Sequence, residues 1–123
     1  MDLGLMIERR PPMLVLSIGG DLEMSSVPQF RDAVIDAISA GEHHLVVDLS
    51  ATDFIDSTGL GALIGALKRL RSADGSLQVA CAQPRLQELF KLTDLDKVFV
   101  LHQSVEEVVA AGIPNSSKRS EWL

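Results

Sequence analysis

Residues 45–72, LVVDLSATDFIDSTGLGALIGALKRLRS, combine an apolar strand, a loop rich in acidic and hydroxyl side chains, and an amphipathic helix. Residues 45–49 form a short, mainly apolar run that includes β-branched Val46 and Val47, which favours a central strand covered on both faces. Apolar Phe54 and Ile55 should anchor the loop to the core. Asp56, Ser57 and Thr58 can each cap the helix, because a side-chain oxygen there accepts an amide hydrogen of the first turn. The stretch therefore predicts hydroxyl groups at a helix N-terminus.

The helix after this loop has one apolar stripe and two interior glycines. Gly61 and Gly65 lie on one flank of the stripe together with Lys68, and two such glycines reduce local helix stability by about 2 kcal/mol. Two explanations remain open: the glycines let the helix press against a neighbouring element, or they keep a surface bare for another protein. The stripe that should face the sheet consists of Leu60, Leu63, Ile64, Leu67 and Leu70.

The same stretch resembles the signature of the anti-sigma-factor antagonists, members of the STAS domain family. In that family an apolar strand precedes a loop ending in Asp-Ser-(Ser or Thr)-Gly-Leu-Gly, and the serine is the regulatory phosphorylation site. Residues 56–61 read Asp-Ser-Thr-Gly-Leu-Gly, so the resemblance implies that Ser57 is phosphorylated. Residues 20–23, Gly-Asp-Leu-Glu, resemble the family's Gly-Glu-(Ile or Leu)-Asp turn, with Glu23 replacing the last aspartate. The resemblance covers roughly residues 3–111.

The resemblance implies a protein-binding switch without catalytic residues of its own. The unphosphorylated form would bind an anti-sigma factor, in this family usually a serine kinase that carries its own ATP and magnesium, and thereby release a sigma factor. The kinase would phosphorylate Ser57, and a metal-dependent serine phosphatase would reverse the modification. The expected partner-binding residues are Asp21, Glu23, Asp53, Asp56, Ser57, Thr58, Gly59, Gly61, Gly65 and Lys68.

Two further functions remain open. STAS domains also serve as non-phosphorylated scaffolding subunits of signalling or transport complexes, although an intact phosphorylatable serine disfavours a passive scaffold. Residues 57–59 at a helix N-terminus could also hold a phosphate, as in a small nucleotide-binding module. The Walker and dinucleotide-binding patterns are absent, however, and Asp53 and Asp56 would repel a phosphate.

Enzymatic and metal-dependent functions have little support in the sequence. Ser57 lacks a Gly-x-Ser-x-Gly elbow, and the histidines lie at predicted strand edges without an orienting acid. Adjacent His43 and His44 would point to opposite faces of an extended segment, so we expect neither a metal nor a cofactor. A receiver-type domain with Asp48 as phosphoacceptor would need a lysine after the last strand, where the sequence has His102.

Composition and charge limit the compartment and the partners. The only cysteine, Cys81, lies in an apolar run and should be a buried, reduced thiol. This thiol, the lack of a signal sequence and the short apolar runs favour a cytoplasmic protein without a membrane segment. The net charge of −6 disfavours nucleic acid as a ligand and favours a basic partner surface.

The order of apolar segments predicts an α/β fold: a mixed, mainly parallel sheet of about five strands with about four helices. Strands at residues 3–8 and 13–18 flank two turn-forming prolines and should form an N-terminal hairpin. Strands at residues 45–49, 77–82 and 97–101 alternate with helices, which is typical of parallel strands. We expect a single STAS-type domain over residues 1–112 and a disordered C-terminal tail over residues 113–123.

Overall fold

One five-stranded sheet organises residues 3–114, the part of the chain that the computed structural model describes. Its strands are β1 (Gly4–Arg10), β2 (Met13–Gly19), β3 (His44–Asp48), β4 (Ser76–Ala80) and β5 (Val100–His102). They lie side by side in chain order, with β1 and β2 antiparallel and the remaining pairs parallel. The predicted mixed sheet with an N-terminal hairpin is confirmed.

Within residues 3–114, four α-helices cover the two faces of this sheet. They are α1 (Val27–Ser39), α2 (Ser57–Ser72), α3 (Pro84–Leu92) and α4 (Val105–Ala111). The first three pack on the larger core, which includes Leu45 and Val47 of β3, whereas α4 covers a smaller cluster that includes Val46. Alternate residues of β3 thus face opposite layers, and all three are at most 1% exposed. Burial on both faces explains the continuous apolar run.

The last strand differs from its prediction. The apolar run at residues 97–101 predicted a strand, but a 3-10 turn occupies Leu95–Lys97 and β5 begins only at Val100. Asp94 has a positive φ of 60°, and the amides of Val98 and Phe99 both donate to the Leu95 carbonyl oxygen. The backbone is therefore turned where the apolar pattern predicted an extended segment.

The sheet brings two connecting segments together at one edge. Because β2 and β3 are parallel and Ser17 pairs with Asp48, both strands end at the same side of the sheet. Beyond these ends, an isolated parallel bridge joins Leu22 to Ile55. The turn that follows β2 consequently lies against the loop that precedes α2.

The structure describes only residues 3–114, which limits what it says about the C-terminal tail and about membrane segments. Most of the predicted disordered tail, residues 115–123, lies outside them. Between residues 3 and 114, no helix is long and apolar enough to cross a membrane.

Candidate functional site

Two side chains, the buried Thr52 and the half-buried Gln83, hold the loop between β3 and α2. The buried Thr52 side chain donates its hydroxyl hydrogen to the carbonyl oxygen of Ile18 at 2.9 Å. The side-chain amide of Gln83 donates to the carbonyl oxygens of Leu49, Ser50 and Thr52, at 2.6, 3.0 and 2.8 Å. These bonds join carbonyl oxygens of the loop and of β2 to side-chain donors, so they fix the path of the loop.

The Asp48 carboxylate accepts hydrogen bonds at the start of the same loop. One carboxylate oxygen accepts from the Ser50 amide at 3.0 Å and from the Ser50 hydroxyl at 2.6 Å. The other accepts from the Ser17 hydroxyl at 3.3 Å. Asp48 therefore binds neighbouring backbone and hydroxyl groups, an arrangement that shapes the loop rather than offering a free phosphoacceptor.

Asp56 is the residue that caps α2. Its Oδ1 accepts from the Gly59 amide at 2.8 Å, and its Oδ2 accepts from the Met24 amide at 3.2 Å. One carboxylate thus satisfies an amide of the first helical turn and also ties the helix start to the turn after β2. Ser57 and Thr58, the other two predicted caps, are inside the helix and exposed.

Asp21 and Glu23 lie beside this helix start, on either side of the fully buried Leu22. The Leu22 amide donates to the Phe54 carbonyl oxygen at 3.0 Å, and the Asp56 amide donates to the Leu22 carbonyl oxygen at 3.2 Å. Asp21 is exposed. Glu23 Oε1 accepts from the Ser25 amide at 2.9 Å and from the Ser25 hydroxyl. The structure therefore brings both acidic residues to the same edge of the sheet as Ser57.

The glycines of α2 fall into two groups. A Cβ atom at Gly59 would clash with the Leu22 carbonyl oxygen and lie 2.8 Å from Ile55 Cγ2. At Gly61 and Gly65 a Cβ atom would meet nothing within 4 Å. Internal packing therefore explains Gly59, but it does not explain Gly61 or Gly65.

A groove of about 360 Å³ runs between α1 and α2. The two glycines line it near Ala62 and Ala66, whereas Lys68 is exposed and does not line it. The lining from α1 is Phe30, Arg31 and Val34, and the lining from α2 is Thr58, Gly61, Ala62, Gly65, Ala66 and Arg69.

The sequence did not predict two exposed apolar side chains near Ser57. Phe54 is 51% exposed and Met24 is 71% exposed. Phe54 was expected to anchor the loop, but only Ile55 does so, at 4% exposure. Consecutive residues of an extended segment point to opposite sides, so only one of these neighbours can face the core. That alternation was a usable signal for Phe54, whereas no local signal marks Met24.

Two further residues of interest, Asp53 and Cys81, lie on or near the same loop. Asp53 is exposed on the loop. Cys81 lies buried beneath the loop, and its burial raises the pKa of the thiol, so the group is neutral near pH 7. Within residues 3–114, no three His, Cys, Asp or Glu side chains form a group that could hold a metal ion.

Comparison with known families identifies the domain to which this fold belongs. The family model described as the STAS domain matches residues 5–108, which is most of the chain. The chain therefore belongs to the STAS domain family.

Relatives from several bacteria support this assignment. An anti-sigma-B factor antagonist of Staphylococcus epidermidis is 30% identical over 91 residues, covering 74% of this chain and 84% of that protein. The crystal structure of an anti-sigma factor antagonist from Mycobacterium paratuberculosis has a TM-score of 0.81 at 25% identity, covering 92% of this chain and 95% of that one. The Bacillus cell fate determinant SpoIIAA, solved in its phosphorylated form, shares the fold with a TM-score of 0.68 at 21% identity, covering 88% and 98%.

Proposed function

We propose that this protein is an anti-sigma-factor antagonist that works by partner switching. Its unphosphorylated form binds an anti-sigma factor with serine kinase activity, and the bound anti-sigma factor releases its sigma factor. The family assignment and the curated relative from Staphylococcus epidermidis support the class of function. The observation that carries the proposal is the placement of Ser57, an exposed residue at the first position of α2, directly after a loop whose backbone is tied down by Gln83.

Phosphorylation of Ser57 is the proposed off switch. A phosphate adds about −1.5 to −2 charges near neutral pH. At a helix N-terminus it is favoured by the dipole and by first-turn amides, so α2 should remain folded. The change is therefore one of surface charge and shape. A partner that fits the bare hydroxyl must desolvate the phosphate or move away from it.

The surface around Ser57 offers both apolar and acidic contacts to a partner. Exposed Met24 and Phe54 supply large apolar side chains of the kinds enriched at protein interfaces. Asp21, Glu23 and Asp53 surround them with negative charge, which favours a basic partner surface. The acidic side chains would steer the encounter, and the apolar side chains would supply contact area.

The chemistry of the switch belongs to the partners. The anti-sigma kinase would bring ATP and magnesium to Ser57, and a metal-dependent serine phosphatase would remove the phosphate. This chain would contribute the acceptor hydroxyl and the docking surface, with no catalytic residue and no cofactor. All three proteins would act in the cytoplasm, without a nucleic acid or a membrane as ligand of this chain.

Intact-protein mass spectrometry tests the proposal. The protein is incubated with candidate anti-sigma kinases and ATP-magnesium, with Ser57→Ala and Thr58→Ala as matched variants. We expect one added phosphate on the wild type and on Thr58→Ala, and none on Ser57→Ala. Stable binding to an anti-sigma factor without any phosphate transfer would instead indicate a scaffolding subunit, and binding to none of them would overturn the function.

A further inference from the structure

We infer that the groove between α1 and α2 receives an acidic helix of the anti-sigma factor, as a second contact beside the Ser57 surface. This inference rests on the proposed function and specifies how the partner is recognised. The two contacts differ in charge, because the Ser57 surface is acidic and the groove is lined by two cations.

The shape of the groove suits a helix. Phe30 and Val34 of α1 border the groove but are buried, so the surface open to an occupant comes mainly from exposed Gly61 and half-buried Ala62 and Gly65 of α2. A helix laid between two others inserts its side-chain ridges into their grooves, and the axis separation depends on the residues at the contact. Gly61 and Gly65 also line the groove and have open space where a Cβ would be. A third helix can therefore approach α2 closely.

The charges in the groove specify an acidic occupant. Arg31 and Arg69 are exposed, come from different helices and line the same groove. No carboxylate is among the lining residues. Neither arginine forms an ion pair within residues 3–114. A guanidinium group pairs with a carboxylate through two parallel hydrogen bonds, so acidic side chains on the occupant would complement this groove.

Two other occupants fit the groove less well. A second copy of this chain, docked by a two-fold axis, would place the same patch on both sides and bring the arginines of the two copies together. An extended segment would gain no backbone hydrogen bonds here, because helices rather than a strand edge border the groove. A helix with its own backbone bonds satisfied avoids both difficulties.

The groove is also coupled to the phosphorylation site. Thr58 lines it and directly follows Ser57, so one end of the groove reaches the start of α2. A phosphate on Ser57 would add negative charge at this end and would repel an acidic helix. The same modification would then weaken both contacts of the partner.

Charge reversal tests the inference. Arg31→Glu and Arg69→Glu are compared with Arg85→Glu, a matched reversal at an exposed position of α3. Dissociation constants for the anti-sigma factor are measured by calorimetry, with a thermal unfolding scan for each variant. We expect each groove reversal to weaken binding about 10-fold or more, and Arg85→Glu to change it by less than about 2-fold. Charge reversal at an acidic residue of the partner helix should then restore binding to Arg69→Glu.

A variant that plugs the groove gives an independent measurement. Gly65→Leu adds a side chain whose Cβ atom meets no neighbour within 4 Å, and leucine is a better helix former than glycine, so we expect an unchanged or higher unfolding midpoint together with weaker binding. If the wild type binds no anti-sigma factor, the proposed function fails and this inference fails with it. If the wild type binds and the groove variants bind equally well, only the inference is overturned.

The same variants identify any other occupant. A wild-type dimer in sedimentation that Gly65→Leu converts to monomer would assign the groove to a second copy and overturn the inference. Binding of ATP or GTP that Arg69→Glu abolishes, with the anti-sigma factor still bound normally, would assign it to a nucleotide and overturn it likewise.

Discussion

Gly59 and Gly61 are two residues apart on α2, yet opposite constraints act on them. On the inner side of the helix, Gly59 packs against Leu22 and Ile55 and has no room for a side chain. On the outer side, Gly61 and Gly65 have open space around them. The fold needs glycine at Gly59, whereas at Gly61 and Gly65 glycine weakens the helix without any benefit to packing.

This difference separates the residues that hold the site in place from those that are exposed to a partner protein. Together with the inner side of α2, Gln83 and Asp56 build the site, because their hydrogen bonds hold the loop and the helix start. The outer side presents Ser57 and the glycine-lined groove to solvent. Substitutions on the inner side should therefore change stability, and substitutions on the outer side should change partner binding.

The largest effect is expected on the outer side, for Ser57→Asp. A permanent negative charge at this position should weaken binding to the anti-sigma factor by about 30- to 1000-fold, equivalent to about 2–4 kcal/mol. The unfolding midpoint should stay unchanged, since an acidic residue in the first helical turn is favoured by the dipole. Calorimetric titration and a thermal scan measure the two quantities. Equal affinity for Ser57→Asp and for a binding-competent Ser57→Ala would contradict the electrostatic switch.

Among alanine substitutions at the three glycines of α2, Gly59→Ala should be the most destabilising. The added methyl group would clash with the Leu22 carbonyl oxygen and Ile55 Cγ2, and such overpacking costs about 1–3 kcal/mol. Urea unfolding of this variant beside Gly61→Ala compares the same chemical change at two nearby positions of one helix. A Gly59→Ala protein as stable as the wild type would show that the turn at Leu22 yields easily.

Gln83→Ala tests the clamp under the loop. Its removal leaves the carbonyl oxygens of Leu49, Ser50 and Thr52 without this donor. Because Gln83 is half-buried, water can replace part of the loss, and we expect a decrease of about 1–2 kcal/mol in unfolding free energy. Hydrogen exchange of the loop amides should accelerate more than exchange in β1. Uniform acceleration would point to a global effect instead.

The smallest expected effect is a gain in stability, for alanine substitutions on the outer side of α2. Gly61→Ala and Gly65→Ala should each raise the unfolding free energy by about 1 kcal/mol, because alanine is the better helix former and the methyl group meets no neighbour. Chemical denaturation measures this gain. A loss of stability at either position would show that the outer side of α2 is packed after all, and the comparison between the two sides would fail.

Local patterns were sufficient to predict most of the fold. The mainly apolar run before Ser50 predicted a strand buried on both faces, and Leu63, Leu67 and Leu70 all face the core as their spacing indicated. The pattern failed at residues 97–101, where the helix-terminating turn after α3 extends further than hydrophobicity alone could show. Apolar residues in a turn and in a strand can be buried equally well, so burial does not distinguish them.

For the site, the sequence by itself determined that an Asp-Ser-Thr run with capping side chains opens an amphipathic helix, because capping and helical periodicity act over a few neighbouring residues. Only the tertiary structure decided that Asp56 is the cap, which glycine is packed, and that Arg31 and Arg69 share a groove. These outcomes depend on residues far apart in the chain, as when the Asp56 carboxylate binds the amide of Met24, 32 positions earlier. Such contacts form only once the parallel strands have brought the two connecting segments to one edge of the sheet.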